Sequence, residues 1–167
     1  MAVWQYDVSL VPRSGVVLHH GGIPEELPGY RAVMNPDEME TGPFPNYWDN
    51  GPSPEVLARE IAHLLPPAKS WSADAIMFGP EDGHRLEIWK TGDIQLRFDA
   101  GHPDFTLLRA FVEFAQRHDL LCVSDTRGQP IEPTYESILA DLLDSNAVRF
   151  CKDPEAYLKS LPRNQSG

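Results

Sequence analysis

Basic residues are scarce in this chain: 14 Lys and Arg stand against 25 Asp and Glu, a formal net charge of −11 at pH 7 over 167 residues. Such a deficit argues against nucleic acid and against an anionic membrane surface, because phosphate recognition needs clustered cations. It suits solubility, or a basic partner. Cysteine is nearly missing too. Cys122 and Cys151 make no disulfide framework and read as reduced thiols of a cytoplasmic protein. No run approaches the ~18 apolar residues of a membrane span. The opening MAVWQYDVSLVPRSG lacks the basic stretch and apolar core of a signal peptide.

The familiar chemical signatures are missing as well. There is no G-x-x-x-x-G-K-[ST], no G-x-G-x-x-G and no G-x-S-x-G. No motif asks for a cofactor. Of six histidines, His19 and His20 are adjacent, and no two of the other four are closer than sixteen residues. Neighbours on a strand point to opposite faces, and on a helix they lie about 100° apart, so adjacent histidines chelate one ion poorly. No metal site is assigned, and His19-His20-Gly21-Gly22 reads as a strand end running into a turn. Cys122 lies in an apolar run, where a thiol stays protonated and packs as a small core residue.

What is present is a well-patterned sequence. In VWQYDVSLV (3–11), Trp4, Tyr6, Val8 and Leu10 alternate with mostly polar residues, which predicts a strand; VVL (16–18) continues or returns it. Ser53-Pro54-Glu55 reads as a helix start, followed by Leu57, Ile61, Leu64 and Leu65 at helical spacing and a stop at Pro66-Pro67. Three strands follow as a meander: 73–78, 84–90 and 94–99. A three-residue turn centred on Gly92 sets Ile88 opposite Leu96. It also sets Glu87 opposite Arg97 and Arg85 opposite Asp99, as exposed charge pairs. Phe105, Leu108, Phe111, Val112 and Ala115 mark a second helix, and Leu120–Ser124 an inner strand. Thr134 caps a third helix carrying Tyr135, Ile138, Leu139, Leu142 and Leu143. Asp153 caps a last one. The class is α+β: a mostly antiparallel sheet with helices on one face, a ferredoxin-like βαββαβ unit being the candidate core. Residues 1–161 are expected to form one globular domain and 162–167 a frayed tail.

Between His19 and Ser53 no period holds, yet Leu27, Tyr30, Val33, Met34, Met39, Phe44, Tyr47 and Trp48 are too many large apolar groups for a solvated tail. A long ordered loop, rich in proline, aromatics and acids, is expected there. From Glu25 to Glu55 the acids are Glu25, Glu26, Asp37, Glu38, Glu40, Asp49 and Glu55, against one base, Arg31.

No motif names a reaction. The favoured expectation is a non-catalytic acidic protein-binding domain, an inhibitor or immunity-type protein masking a basic partner. Its contacts would be Phe44, Tyr47, Trp48, Asp49, Glu38 and Glu40. On this reading, alanine at Phe44, Tyr47 and Trp48 removes partner capture and leaves the fold intact. The alternative is a small-molecule-binding domain or enzyme with a site between loop 19–53 and turn 124–128, using His20, Asp125 and Arg127. A third reading is a homo-oligomer whose apolar loop is a self-interface.

Overall fold

The structure is a computed structural model that describes residues 3–31, 37 and 39–161. Val33, Met34, Glu38 and the tail 162–167, all singled out from sequence, lie outside the described residues. Strand β1 (Gln5–Pro12) runs through the sheet interior, and its alternation buries Tyr6, Val8 and Leu10 on one face. The meander is β3 (Ala75–Phe78), β4 (Arg85–Trp89) and β5 (Ile94–Asp99). Strand β6 is Leu120–Ser124, and two short edge strands are β2 (Pro67–Ala68) and β7 (Pro130–Ile131). The seven pair antiparallel throughout in the order β2-β3-β4-β5-β1-β6-β7.

Because β5 is antiparallel to both its neighbours, β1 and β4 run parallel with β5 inserted between them. Helix α2 (Pro54–Ile61) lies on the path from β1 to the meander, and α3 (Phe105–Arg117) links β5 to β6. This is the split βαβ arrangement of a ferredoxin-like unit. Strands β2 and β3 extend it at one edge and β7 at the other.

One face carries the larger core. Leu57 and Ile61 of α2 and Leu108, Phe111 and Val112 of α3 pack with Tyr6, Val8, Leu86, Ile88, Leu96 and Phe98 of the sheet. Helices α4 (Tyr135–Leu143) and α5 (Asn146–Lys152) add Ile138, Leu142 and Ala147. Each such side chain contributes about 1.5–3 kcal/mol through burial. Phe105 and Leu143, placed in apolar stripes from sequence, are about half exposed, at 44% and 51%. Short helix α6 (Pro154–Ser160) starts at Asp153, whose Oδ1 accepts from the Ala156 amide at 3.0 Å.

The other face departs from expectation. Residues 16–18 form no strand; they belong to helix α1 (Arg13–His20), so helices flank both faces. Gly21 closes α1 in the left-handed region, φ 73°, its N–H donating to the Val17 carbonyl. His19-His20-Gly21 is therefore a basic last turn and its C-cap. Val16 packs with Val11, Leu121, Val123, Leu27 and Tyr47 in a second, smaller core.

The long loop joins the two cores. Tyr47 sits in the smaller core, whereas Trp48, the next residue, sits in the larger. The chain bends around the end of the sheet here. Trp48 Nε1 donates to the Leu10 carbonyl at 3.2 Å, and Tyr47 and Trp48 are nearly fully buried, at 2% and 5% exposure. Interior plugs of this kind cannot also be partner contacts, so the expectation for Tyr47 and Trp48 is corrected.

The β4–β5 turn keeps its odd parity but closes one residue earlier on each strand. Ile88 faces Ile94, Leu86 faces Leu96, Glu87 faces Gln95 and Arg85 faces Arg97. The cause lies at Gly92. Its φ is 101° and its N–H donates to the Trp89 carbonyl at 2.8 Å; a Cβ there would meet the Trp48 side chain at 2.5 Å. The apolar facing survives because the shift is even. The charged residues of this hairpin are not exposed pairs: Arg85, Glu87 and Asp99 are all buried.

Two substitutions test the wrapped loop. Trp48→Ala is expected to cost about 3–5 kcal/mol in urea unfolding, the range for losing a buried aromatic. Gly15→Ala, inside α1, should destabilise although alanine favours helices by ~1 kcal/mol, since its Cβ would lie 2.0 Å from the Tyr47 carbonyl oxygen. A stabilised Gly15→Ala variant would show that α1 does not press on the loop.

Candidate functional site

The face of the sheet opposite the larger core is divided. Val11, Leu121 and Val123 make one part apolar. Moving along β1 toward its start, the rows turn polar. Ser9 pairs with Gln95, which pairs with Glu87. In the next row Asp7 pairs with Arg97, which pairs with Arg85. Asp125 joins Asp7 from beyond the end of β6, its amide donating to the Asp7 carbonyl at 3.1 Å. Two acids thus stand beside two bases across neighbouring strands.

This row is buried and incompletely paired. Asp7 is 1% exposed, and Arg97 Nε lies 3.5 Å from its Oδ1. Neither Asp7 oxygen, nor the Nε of Arg85 or Arg97, makes a hydrogen bond. Burial pushes the Asp7 carboxyl above its ordinary value even though Arg97 pulls it down. Asp125 is pushed up to about 7, first by burial, then by the negative charges of Asp7 and Asp141. On the opposite face the Tyr6 hydroxyl donates to Asp141 Oδ2 at 2.6 Å.

Above the polar rows opens a cleft of about 610 Å³. Ser9 and Gln95 form its floor, and Trp89, Thr91 and Asp93 of the β4–β5 hairpin one wall. Tyr30, Phe44, Pro45 and Asn46 of the long loop form the other. Tyr47 positions this wall: Tyr30 stacks on it with ring centroids 6.3 Å apart. The Leu27 amide, donating to the Gly128 carbonyl at 2.8 Å, ties the loop to the turn after β6.

The residues singled out from sequence separate into different places. His20 Nε2 lies 2.8 Å from the Tyr47 hydroxyl. Asp125 adjoins Asp7. Arg127 pairs with Asp144 at the end of α4, which Arg149 also contacts. His20, Asp125 and Arg127 share no partner and none of them lines the cleft. Phe44 does line it and is 47% exposed. Glu40 accepts a hydrogen bond from the Gly29 amide, and Asp49 is exposed. Cys122 is fully buried, its thiol raised by burial. Among the described residues no three His, Cys, Asp or Glu side chains gather as a metal-binding group. No helix among them is long and apolar enough to cross a membrane.

Sequence reasoning missed Asp7, Tyr30, Trp89 and Asp93. One signal was available for Trp89. It shares a strand face with Arg85 and Glu87, where a large aromatic has no helix-side core to enter.

Compared with known proteins, the chain matches no family model, no curated protein and no solved structure.

The raised Asp125 gives a pH test. The folded state holds its proton up to about pH 7, whereas an unfolded aspartate loses it near 4. Stability from this group is therefore full below pH 4 and is lost as pH rises to 7. Asp125→Asn should stabilise the protein by on the order of 1 kcal/mol at pH 8, after discounting for solvent screening, and by nothing at pH 3. Urea midpoints at the two pH values read this; an equal change at both would refute it.

Proposed function

We propose that this chain is a non-catalytic binding domain for a basic protein, acting as an inhibitor or immunity-type mask. The observation that carries the reading is how the long loop is held. Tyr47 and Trp48 pin it from inside, so the segments on either side of them are presented at little further entropy cost on binding. What it presents is acidic and apolar together. Glu25, Glu26, Asp37, Glu40, Asp49 and Glu55 are all exposed, alongside Phe44 and Met39, at 47% and 63%. The single base there, Arg31, is already offset by Glu26, 3.5 Å away. An anchored surface of this sign steers and holds a cationic partner. The small-molecule reading loses support because the cleft is lined by other residues than His20, Asp125 and Arg127.

The test is affinity capture from the source lysate at about 0.15 M and about 1 M salt, where screening lengths are roughly 8 and 3 Å. The immobilised baits are the native chain, Phe44→Ala and Asp49→Lys. A stoichiometric basic protein is expected on the native chain, released at high salt and weakened by both substitutions. Capture indifferent to salt and to both variants, or no stoichiometric partner at all, would overturn the reading.

A further inference from the structure

We infer that the cleft between the long loop and the β4–β5 hairpin is a receptor for an arginine side chain of the partner. This deepens the proposal above and rests on it for the source of the arginine, but the recognition chemistry stands on the cleft alone. The lining supplies three aromatic rings, from Tyr30, Phe44 and Trp89, and one carboxylate, from Asp93. It contains no lysine or arginine. Trp89 is backed edge-on by Trp71 with centroids 5.7 Å apart, so its face stays braced.

The polar groups favour a planar cation. Thr91 Oγ1 donates to Asp93 Oδ2 at 3.0 Å and the Tyr30 hydroxyl to Oδ1 at 3.4 Å, which fixes the carboxylate at the cleft wall. Burial, with the charge of Asp93 behind it, raises the Tyr30 hydroxyl, so it remains a donor. The carbonyl of the Gln95 side chain and the Ser9 hydroxyl add acceptors at the floor. A guanidinium offers five donors in one plane, stacks on aromatic faces and is weakly hydrated. An ammonium is a compact, strongly hydrated charge and uses such a slot less well. Arg97 and Arg85 stand one row beyond the floor, where Asp7 lies 3.5 Å from Arg97. Within the cleft wall itself the charged group is Asp93. Glu40 lines an adjoining recess of about 120 Å³ that shares Phe44 and also holds Arg31.

The experiment titrates the full chain with three capped pentapeptides, Gly-Gly-X-Gly-Gly, where X is arginine, lysine or citrulline. Citrulline keeps the planar shape and removes the charge. Binding is read from the Trp89 indole and Gln95 side-chain signals in proton–nitrogen correlation spectra. The arginine peptide is expected to move those signals and to bind about tenfold or more tightly than either comparator. Asp93→Asn and Phe44→Ala should each weaken it by about tenfold without altering the rest of the spectrum. No response to the arginine peptide, equal response to all three, or shifts centred elsewhere would each overturn the inference. A partner captured equally by the native chain and by Asp93→Asn would also overturn it while leaving the proposed function standing. An arginine peptide bound where no partner is captured would leave the cleft assignment standing and remove the proposed function.

Discussion

Everything on the polar face of this protein depends on one peptide bond, that between Tyr47 and Trp48. These two residues open a turn over 47–50, in which the Gly51 amide donates to the Trp48 carbonyl at 2.9 Å. The turn puts one ring into each of two cores. The loop is thereby tied to both faces. Room for the passage comes from two glycines, Gly15 against the Tyr47 carbonyl and Gly92 against the Trp48 ring. Helix α1, the β4–β5 turn and the loop are consequently not independent. The turn closes early because Trp48 lies on it, and the early closure sets which residues stand opposite one another on the polar rows.

Those rows carry a cost that the rest of the fold must offset. A buried carboxylate with no hydrogen bond, 3.5 Å from its counter-ion, adds little or no net stability. The larger core, with its aromatic side chains from β1, α3 and β5, supplies that stability from the opposite face. Asp7, Arg97, Arg85 and Glu87 stand where valine and leucine would pack with less desolvation, so their contribution to this face is not stability. The apolar end of the same face shows that the sheet accommodates such packing. The change from apolar to polar happens at the rung of Ser9 and Gln95, and that rung is the floor of the cleft.

Much of this was legible in the sequence. Period-two and period-3.6 patterns located β1, the meander and three helices, a continuous apolar run located β6, which meets both cores, and the Asp153-Pro154 cap located α6, which buries nothing. The odd parity of the β4–β5 turn followed from keeping leucine and isoleucine on one face. The register itself did not, since pairings that differ by two residues bury the same face, and the left-handed Gly92 packed against Trp48 separates them. Helix α1 escaped because an eight-residue segment with a three-residue apolar run carries no period of its own. The glycines after it read as a turn at a strand's end, whereas Gly21 is the helix C-cap. Tyr47 and Trp48 were recognised as important but read as surface contacts. Composition shows that a loop has aromatics to bury, and only the fold shows which of them are used up in burying it.

The same accounting locates the free binding capacity. Of the loop's large aromatics, Tyr47 and Trp48 are consumed by the cores, and Tyr30 is half committed through its stack on Tyr47. Phe44 alone among them keeps about half its surface in solvent. On the sheet side Trp89 is the aromatic that the helix-facing core cannot reach, because its strand position turns it the other way. Two rings left over by two separate packing problems face one space, with Asp93 held between them by donors from Thr91 and Tyr30. Arg31, in the adjoining recess, is already paired with Glu26, so the planar cation that would satisfy both the rings and the carboxylate is one the proposed partner brings.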